Sequence, residues 1–274
     1  MIPLKSTTSV VTGASSGIGR ATACALAAEG SHVFATGRDL DRLRDLSNEI
    51  KQAGGTATVE AFDLKDSEAL SAFIKHAADQ TGRLDVLVNA AGVDIPGTVA
   101  SGDVSNWREM FETNVIAVLV GSQAAIAAMR DTGSAGLIVT ISSYAGQGDG
   151  FRVYGATKAA VNSLCKALRA ELEGEHIRVV NIMPGAVATN FGRHFPAEYV
   201  RKLLSSFELQ SDFETGDMIP EDVLSGLQER ARAFFASPAD IARAVVYAVT
   251  QPTDLSVSEI LIGPRKSFPT HRTA

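Results

Sequence analysis

Cysteine is nearly absent: Cys24 and Cys165 are the two thiols in 274 residues. Both fall inside apolar helical patterns and neither has metal-ligand spacing. That excludes a disulfide scaffold and reads as buried thiols in a reducing compartment. The five histidines are scattered without ligand spacing, so no metal site is expected. Positive charge is in deficit, and the net charge of −6 argues against a general binder of nucleic acid or anionic membranes. Met1–Thr8 holds no apolar leader. The most apolar long stretch, Val115–Met129, is broken by Ser122 and Gln123 and is too short to span a bilayer. A cytoplasmic protein with no membrane or nucleic-acid partner is the expectation.

What is present is an ordinary soluble composition, 45% hydrophobic and 20% charged, on enough chain to bury a core without staples. No repeat, low-complexity tract or linker divides it, so 1–274 is expected to form one domain. Strands are expected at Ser9–Thr12, His32–Thr36, Thr56–Phe62, Leu84–Val88, Gly136–Ser142, Ile177–Met183 and Glu259–Ile262. Helices are expected from Arg20 to Glu29, from the N-cap Asp39 to about Ala53, and from Ser67 to Thr81. Further helices run from Val104 to about Met129 in two pieces around Asn114, from Tyr154 to about Glu173 and from Asp240 to about Thr250. This alternation predicts a parallel sheet covered on both faces.

Tyr154 and Lys158 stand at i and i+4, so on a helix they share a face. A phenol titrates near pH ~10. A cation held ~4 Å away at an effective dielectric of ~20 favours the phenolate by up to ~4 kcal/mol before desolvation. That would let Tyr154 exchange a proton with an alcohol near neutral pH. Alone, the pair reads equally as an exposed Tyr and Lys on a surface helix; its companions give it weight. Gly13-Ala14-Ser15-Ser16-Gly17-Ile18-Gly19 joins the first strand to the first helix. There the backbone can approach a pyrophosphate and a helix N-terminus favours its charge. Asn89-Ala90-Ala91-Gly92 follows the fourth strand. All three motifs lie at carboxyl ends of strands, where open parallel sheets bind ligands.

With Asn114, Ser142-Ser143 and Pro184-Gly185, these motifs resemble the short-chain dehydrogenase/reductase family from about Thr7 to Gly263. The resemblance implies a Rossmann-like, doubly wound α/β fold with seven strands in the order 3-2-1-4-5-6-7 and helices on both faces. It implies hydride transfer between a nicotinamide cofactor and a carbonyl/secondary-alcohol pair. By resemblance, Tyr154 is the general acid/base and Lys158 lowers its pKa and holds the nicotinamide ribose. Ser143 bonds the substrate oxygen, and Asn114 holds a water that links Lys158 to bulk. Asp63 and the Leu64 amide meet the adenine, and Thr189 meets the carboxamide. Gly13, Ser15, Ser16, Gly17, Ile18, Gly19, Asn89, Ala90, Gly92, Pro184, Gly185 and Val187 complete the cofactor site. Adjacent serines at a strand end face opposite ways, so Ser142 stands as an alternative to Ser143. The chain departs from the family at Ala90, where a second Asn is usual, and in a shorter loop between Ser143 and Tyr154. Its last strand also lacks the usual Asp-Gly-Gly ending. The alternatives are an NAD(H)-dependent alcohol dehydrogenase of this fold and a non-catalytic cofactor sensor.

Cofactor choice is read at the end of the second strand. An acidic residue about twenty positions beyond the glycine turn takes the ribose 2′-hydroxyl of NAD. Counted from Gly17, that position holds Gly37, and Arg38 follows. A guanidinium grips a 2′-phosphate through charge-assisted hydrogen bonds and stacks on adenine, and Ser15 and Ser16 add hydroxyls. NADP(H) is therefore expected over NAD(H). The alternative leaves Arg38 in solvent and turns Asp39 or Asp41 to an NAD ribose, although Asp39 is better employed as an N-cap. Arg152 and Arg193 read as solvated surface arginines. The stretch 190–235 carries Phe191, Phe195, Phe207, Phe213, Phe234 and Phe235 and reads as a substrate lid. It suggests a small-molecule carbonyl or alcohol substrate with an apolar body. The resemblance implies a homo-oligomer, tetramer or dimer, with the small-residue face of Ser122–Met129 as a candidate contact.

Overall fold

The structure, a computed structural model, describes residues 4–148 and 152–266. Its strands are β1 (Thr8–Thr12), β2 (His32–Gly37), β3 (Thr56–Ala61), β4 (Val86–Asn89), β5 (Leu137–Ile141), β6 (Arg178–Pro184) and β7 (Glu259–Ile262). The helices are α1 (Gly17–Ala28), α2 (Leu40–Gln52), α3 (Ser67–Thr81), α4 (Val104–Phe111), α5 (Ala117–Thr132) and α6 (Arg152–Glu171). Then come α7 (Ala197–Ser205), α8 (Glu221–Arg230) and α9 (Pro238–Val249). The seven strands form one parallel sheet in the expected order β3-β2-β1-β4-β5-β6-β7. Bounds shift slightly: α1 begins at Gly17 rather than Arg20, and α6 at Arg152 rather than Tyr154.

Both faces of the sheet are covered, which is why the inner strands β1, β2, β4, β5 and β6 are buried without alternation, while the edge strands β3 and β7 are partly exposed. Val11, Val33, Ala35, Val88, Val139 and Val180 pack with side chains of α1, α2 and α9. Their neighbours Val10, Phe34, Leu87, Ile138 and Val179 pack with α3, α5 and α6. The chain order reverses between β1 and β4, and the pairing of Val11 with Val88 brings the turns after those two strands side by side. A crevice at that reversal is where such sheets hold ligands.

Glu112–Ile116 takes a π-helical turn between α4 and α5, the break expected around Asn114. One extra residue per turn rotates the helix face, and Asn114 ends fully buried. With that turn, Val104–Thr132 is a 29-residue helix, long and apolar enough to cross a bilayer by length and composition. Met110, Asn114, Ala125 and Met129 are nonetheless buried inside the α/β layers, so it serves as a core helix. Gly121, Ser122, Ala125, Ala128 and Met129 are also buried within the chain, so this small-residue face is already used. The large apolar side chains left outside are Val104, Phe111, Ile116 and Leu119.

After β6 the chain stays extended and is tied to the segment before α9. Ala188 N donates to Ala236 O (3.0 Å) and Ala236 N to Ala186 O (2.9 Å), pinning both ends of 190–235. Between them α7 and α8 close on a separate core of Val200, Leu204, Phe213, Ile219, Leu224 and Leu227. Phe235 is buried there, and Phe207 and Phe234 lie with ring centroids 5.7 Å apart. Most of the phenylalanines that suggested an apolar substrate thus pack the segment onto itself. Of the six, Phe191 joins the cluster around Tyr154.

Candidate active site

Two turns meet at the crevice because neither has a side chain in the way. Gly13 has φ +68°, and a Cβ there would come within 2.7 Å of Ala91 Cα. Thr12 Oγ1 links the turns, accepting from the amides of Ala90 (3.2 Å) and Ala91 (3.5 Å). Ser16 occupies the N-cap of α1, yet its hydroxyl makes no capping bond and no acid lies in the first turn. Ile18 and Gly19 turn toward the core, while Gly17 faces the Thr189 methyl. The Asn89 side chain departs from expectation. It donates to Ser122 Oγ (3.3 Å), and its Oδ1 lies against Gly121, so it fastens β4 to α5 rather than facing the crevice.

At the other end of the crevice, Asn114 Oδ1 accepts from Val93 N (2.8 Å) while its Nδ2 donates to Val93 O (2.9 Å) and Thr157 Oγ1 (3.0 Å). Both amide hydrogens are therefore used. A Cβ built on Gly92 would lie 3.4 Å from Asn114 Oδ1 and 3.5 Å from Lys158 Nζ, so both polar atoms border the Gly92 backbone. Lys158 Nζ donates to Ile141 O (3.0 Å), leaving further hydrogens to offer. The two serines separate cleanly. Ser142 Oγ donates to Asn162 Oδ1 (2.6 Å), whereas Ser143 Oγ accepts from Ala145 N (3.1 Å) and lies on the Tyr154 side, where it lowers the pKa of the phenol.

The electrostatics correct one expectation. Burial pushes the Tyr154 phenol well above its ordinary range; the bond from Ser143 pulls it down, and the charge of Asp94 pushes it further up. Lys158 Nζ lies 5.9 Å from the ring centroid, and burial brings its own pKa down to about 8. Desolvation is the largest cause of both shifts because both groups sit inside the protein, at 9% and 3% exposure. Sequence reasoning missed Asp94, which burial raises to about 6. Its only sequence signal is a lone acid two positions beyond the turn glycine Gly92.

The remaining expected residues lie around this crevice. Asp63 Oδ1 accepts from Lys65 N (3.0 Å), and Leu64 is buried beside it. Gly185 N donates to Ile262 O (2.7 Å), which holds the Pro184-Gly185 turn to β7, and Val187 bridges to Ala236. Thr189 Oγ1 accepts from Phe191 N (3.2 Å). A groove of about 530 Å³ between α1, α8 and α9 includes Gly17 and Thr189 but none of Ser143, Tyr154 or Lys158, so it is not the reaction site.

The family model for short chain dehydrogenases matches residues 7–199. This chain belongs to the short-chain dehydrogenase family. An uncharacterized oxidoreductase of Mycobacterium tuberculosis is 37% identical over 272 residues, 97% of this chain and 94% of that protein. The glycine betaine reductase of Emericella nidulans is 33% identical over 266 residues, 96% of this chain. The chain spans only 19% of that much longer protein. A crystal structure of a metagenomic short-chain oxidoreductase in complex with NADP superposes with TM-score 0.74 at 30% identity, covering 96% of this chain and 98% of that one.

As a short-chain dehydrogenase, the protein is an NAD(P)-dependent oxidoreductase, and its own residues fit such a cofactor. The uncapped Ser16 and acid-free first turn of α1 suit a pyrophosphate, and Lys158 Nζ with Asn114 Oδ1 borders Gly92 where a ribose would lie. At the far end, a Cβ on Gly37 would come 2.9 Å from Ser15 Oγ, so a side chain at the position expected for an NAD-binding acid would have to displace that hydroxyl. Asp39 Oδ1 accepts from Arg42 N (3.1 Å) and caps α2. Arg38 approaches Glu109 at 3.9 Å, and Glu109 pairs with Lys65 at 2.6 Å. Arg193, read from sequence as solvated, is half-buried here. Burial, then the charge of Arg38, pulls its pKa down.

Proposed function

We propose that this protein transfers hydride between NADP(H) and a carbonyl/secondary-alcohol pair, with Tyr154 as general acid/base. One arrangement carries the reading: a buried phenol on whose titration Ser143 acts, with the Lys158 ammonium one helical turn away. A phenol that keeps its proton far above neutral pH is suited to give it up only when a substrate oxygen gains negative charge. The Ser143 hydroxyl donates to that same oxygen and stabilises the developing charge. Lys158, cationic below about 8, lowers the cost of the phenolate left behind. Asn114 holds the Val93 backbone, and so one wall of the site, at a fixed distance from α6. A bound reduced nicotinamide supplies the hydride to the carbonyl carbon.

NADP(H) is preferred over NAD(H) in this reading. The crowding of Gly37 by the Ser15 hydroxyl, the capping role of Asp39 and the pair Arg38 and Arg193 support it, as does the NADP in the metagenomic neighbour. The segment 190–235 covers the substrate within a single catalytic domain of 1–274. The protein works in the cytoplasm as a homo-oligomer, a tetramer or dimer. Phe111, Ile116 and Leu119, each 40–43% exposed on one long helix, support association, and a monomer in micromolar light scattering would remove that part.

The test is a panel of ketones, aldehydes and secondary alcohols followed by nicotinamide absorbance with both cofactors, alongside dissociation constants for NADPH and NADH. Turnover with NADPH and tighter NADPH binding are expected. Equal or tighter NADH binding would overturn the cofactor preference. Tight cofactor binding with no turnover on any member would replace the reductase by the sensor.

A further inference from the structure

Tyr154, Lys158 and Asn162 share one face of α6 at successive turns. The first two have roles in the reaction read above; Asn162, 8% exposed, has none so far. Its Oδ1 accepts from Ser142 Oγ (2.6 Å) and from Asn181 Nδ2 (2.9 Å). Ser142 directly follows β5 and Asn181 lies on β6, so one oxygen ties α6 to two adjacent strands. Ser142 Oγ also reaches Lys158 O (3.3 Å). Ser142 and Asn181 are both buried, and Asn181 Oδ1 finds no partner among the described residues. An unpaired buried acceptor is costly, so apolar residues of the same shape would serve packing better than these two amides.

On its other side Asn162 meets the chain just beyond Ser143. A Cβ on Gly146 would come 2.6 Å from Asn162 Nδ2 and 2.6 Å from Lys158 C, so only glycine lets the turn Tyr144–Gly146 lie this close to α6. Ser143 is thus held from both ends. Lys158 Nζ donates to Ile141 O (3.0 Å) two residues before it, Asn162 takes the Ser142 hydroxyl one residue before, and Gly146 rests on α6 three residues after. The Ser143 hydroxyl accepts from Ala145 N (3.1 Å) inside that turn. Among the described residues no hydrogen bond joins Asn162 to Ser143, so its influence passes through Ser142 and Gly146.

We propose that Asn162 is a positioning residue: it fixes the place of Ser143 relative to Tyr154 by holding Ser142 on one side and the Gly146 turn on the other. This rests on the hydride-transfer reading, in which Ser143 donates to the substrate oxygen, and two measurements keep the two ideas apart. The first needs neither cofactor nor substrate. Amide exchange at Ala145 reads whether the turn keeps its bond to Ser143. Asn162→Leu should speed it about tenfold while amides of β1, β2 and β4 keep their rates. Asn162→Asp, which retains an acceptor, should change it less. Ser142→Ala leaves the Asn181 bond intact, should act in the same direction, and carries the test if Asn162→Leu does not fold. The second measurement is kcat on a ketone that the wild type reduces. A misplacement of about 1 Å costs on the order of 10²-fold, so Ser142→Ala should lower kcat by roughly tenfold or more with the NADPH dissociation constant unchanged. One donor to the substrate oxygen is worth about 10²–10³ in rate, so Ser143→Ala is assayed at raised enzyme concentration. In that background Ser142→Ala should cost nothing further, which a general loosening of α6 would not reproduce. Unchanged Ala145 exchange, exchange raised equally across the sheet, or a kcat loss that persists without the Ser143 hydroxyl would each overturn the proposal. Faster local exchange with no ketone reduced by the wild type would sustain the hold on Ser143 and strike the hydride-transfer reading instead.

Discussion

The two ends of the crevice use charge in opposite ways. At the reaction end, Tyr154 and Lys158 are buried and Asp94 is half-buried with no ion pair among the described residues, Lys158 being drawn down to about 8 and Asp94 up to about 6. At the far end, Arg38 is 57% exposed, and Lys65 and Glu109 meet at 2.6 Å in reach of solvent. A charge removed from water is expensive to hold and correspondingly strong toward whatever enters beside it. An exposed, already paired charge costs little and gains little. Substitutions should therefore matter most at the buried end and least at the exposed end.

The largest effect is expected at Tyr154. Tyr154→Phe keeps the ring against Phe191 and removes the proton, so turnover should fall by roughly 10²–10⁴-fold, while the NADPH dissociation constant stays nearly unchanged. Steady-state rates beside a fluorescence titration check both halves. A variant that retains most of its rate would end the acid/base assignment, and with it the claim that this end dominates.

Next come two stability effects with mirrored pH windows. Lys158 is held below its unfolded value of 10.5, at about 8. Its burial cost is therefore full below pH 8 and is relieved as pH rises toward 10.5. Lys158→Met should raise stability at pH 7 by about 2 kcal/mol, a ~3 kcal/mol gain less ~1 for the unpaired Ile141 carbonyl. The gain should vanish at high pH, and turnover should fall. Asp94 runs the other way, raised from 3.8 to about 6, so its cost is full above pH 6 and gone below 3.8. Asp94→Asn should add about 1–2 kcal/mol at pH 7 after solvent screening, and nothing near pH 4. Urea titrations across pH read both, and a pH-independent gain in either variant would refute the burial account.

Much of this was legible in the sequence because it is local. Strand order followed from alternation plus recognised motifs, Asp39 showed as an N-cap, and the break around Asn114 was visible where the polar stretch Glu112-Thr113-Asn114 precedes an apolar run. The rest depends on contacts across long separations. Which of Ser142 and Ser143 meets Tyr154 is decided by Asn162, which takes the Ser142 hydroxyl. Asn89 turns to α5 because Gly121 leaves it space. The balance at Tyr154 came out opposite to the Coulombic estimate because spacing on a helix reports distance, not burial. Arg193 looked like a surface residue because nothing in its own stretch shows that the pinned lid brings it to Arg38.

At the exposed end, Arg38→Ala should weaken NADPH near the lower limit for a charge-assisted contact, about tenfold, and barely alter NADH. Its exposure and the nearby Glu109 argue against a larger loss.

The smallest effect belongs to Arg193, on the first turn of the lid. Burial and the positive charge of Arg38 both work against its own charge, so a phosphate placed near the two would relieve that repulsion. Arg193→Ala should weaken NADPH severalfold, less than Arg38→Ala, because Arg38 directly follows Gly37, the position that reads the ribose 2′ group, while Arg193 reaches it only from the lid. The same shared repulsion makes the double variant non-additive: its loss should differ from the sum of the single losses. Salt sharpens the contrast between the ends. At 1 M ionic strength the screening length falls to about 3 Å, so the Arg193 effect should nearly disappear while the Tyr154→Phe effect on turnover persists. Dissociation constants for NADPH and NADH at low and high salt decide it. An Arg193→Ala loss equal for both cofactors, or one insensitive to salt, would mean that this arginine packs the lid and takes no part in reading the 2′-phosphate.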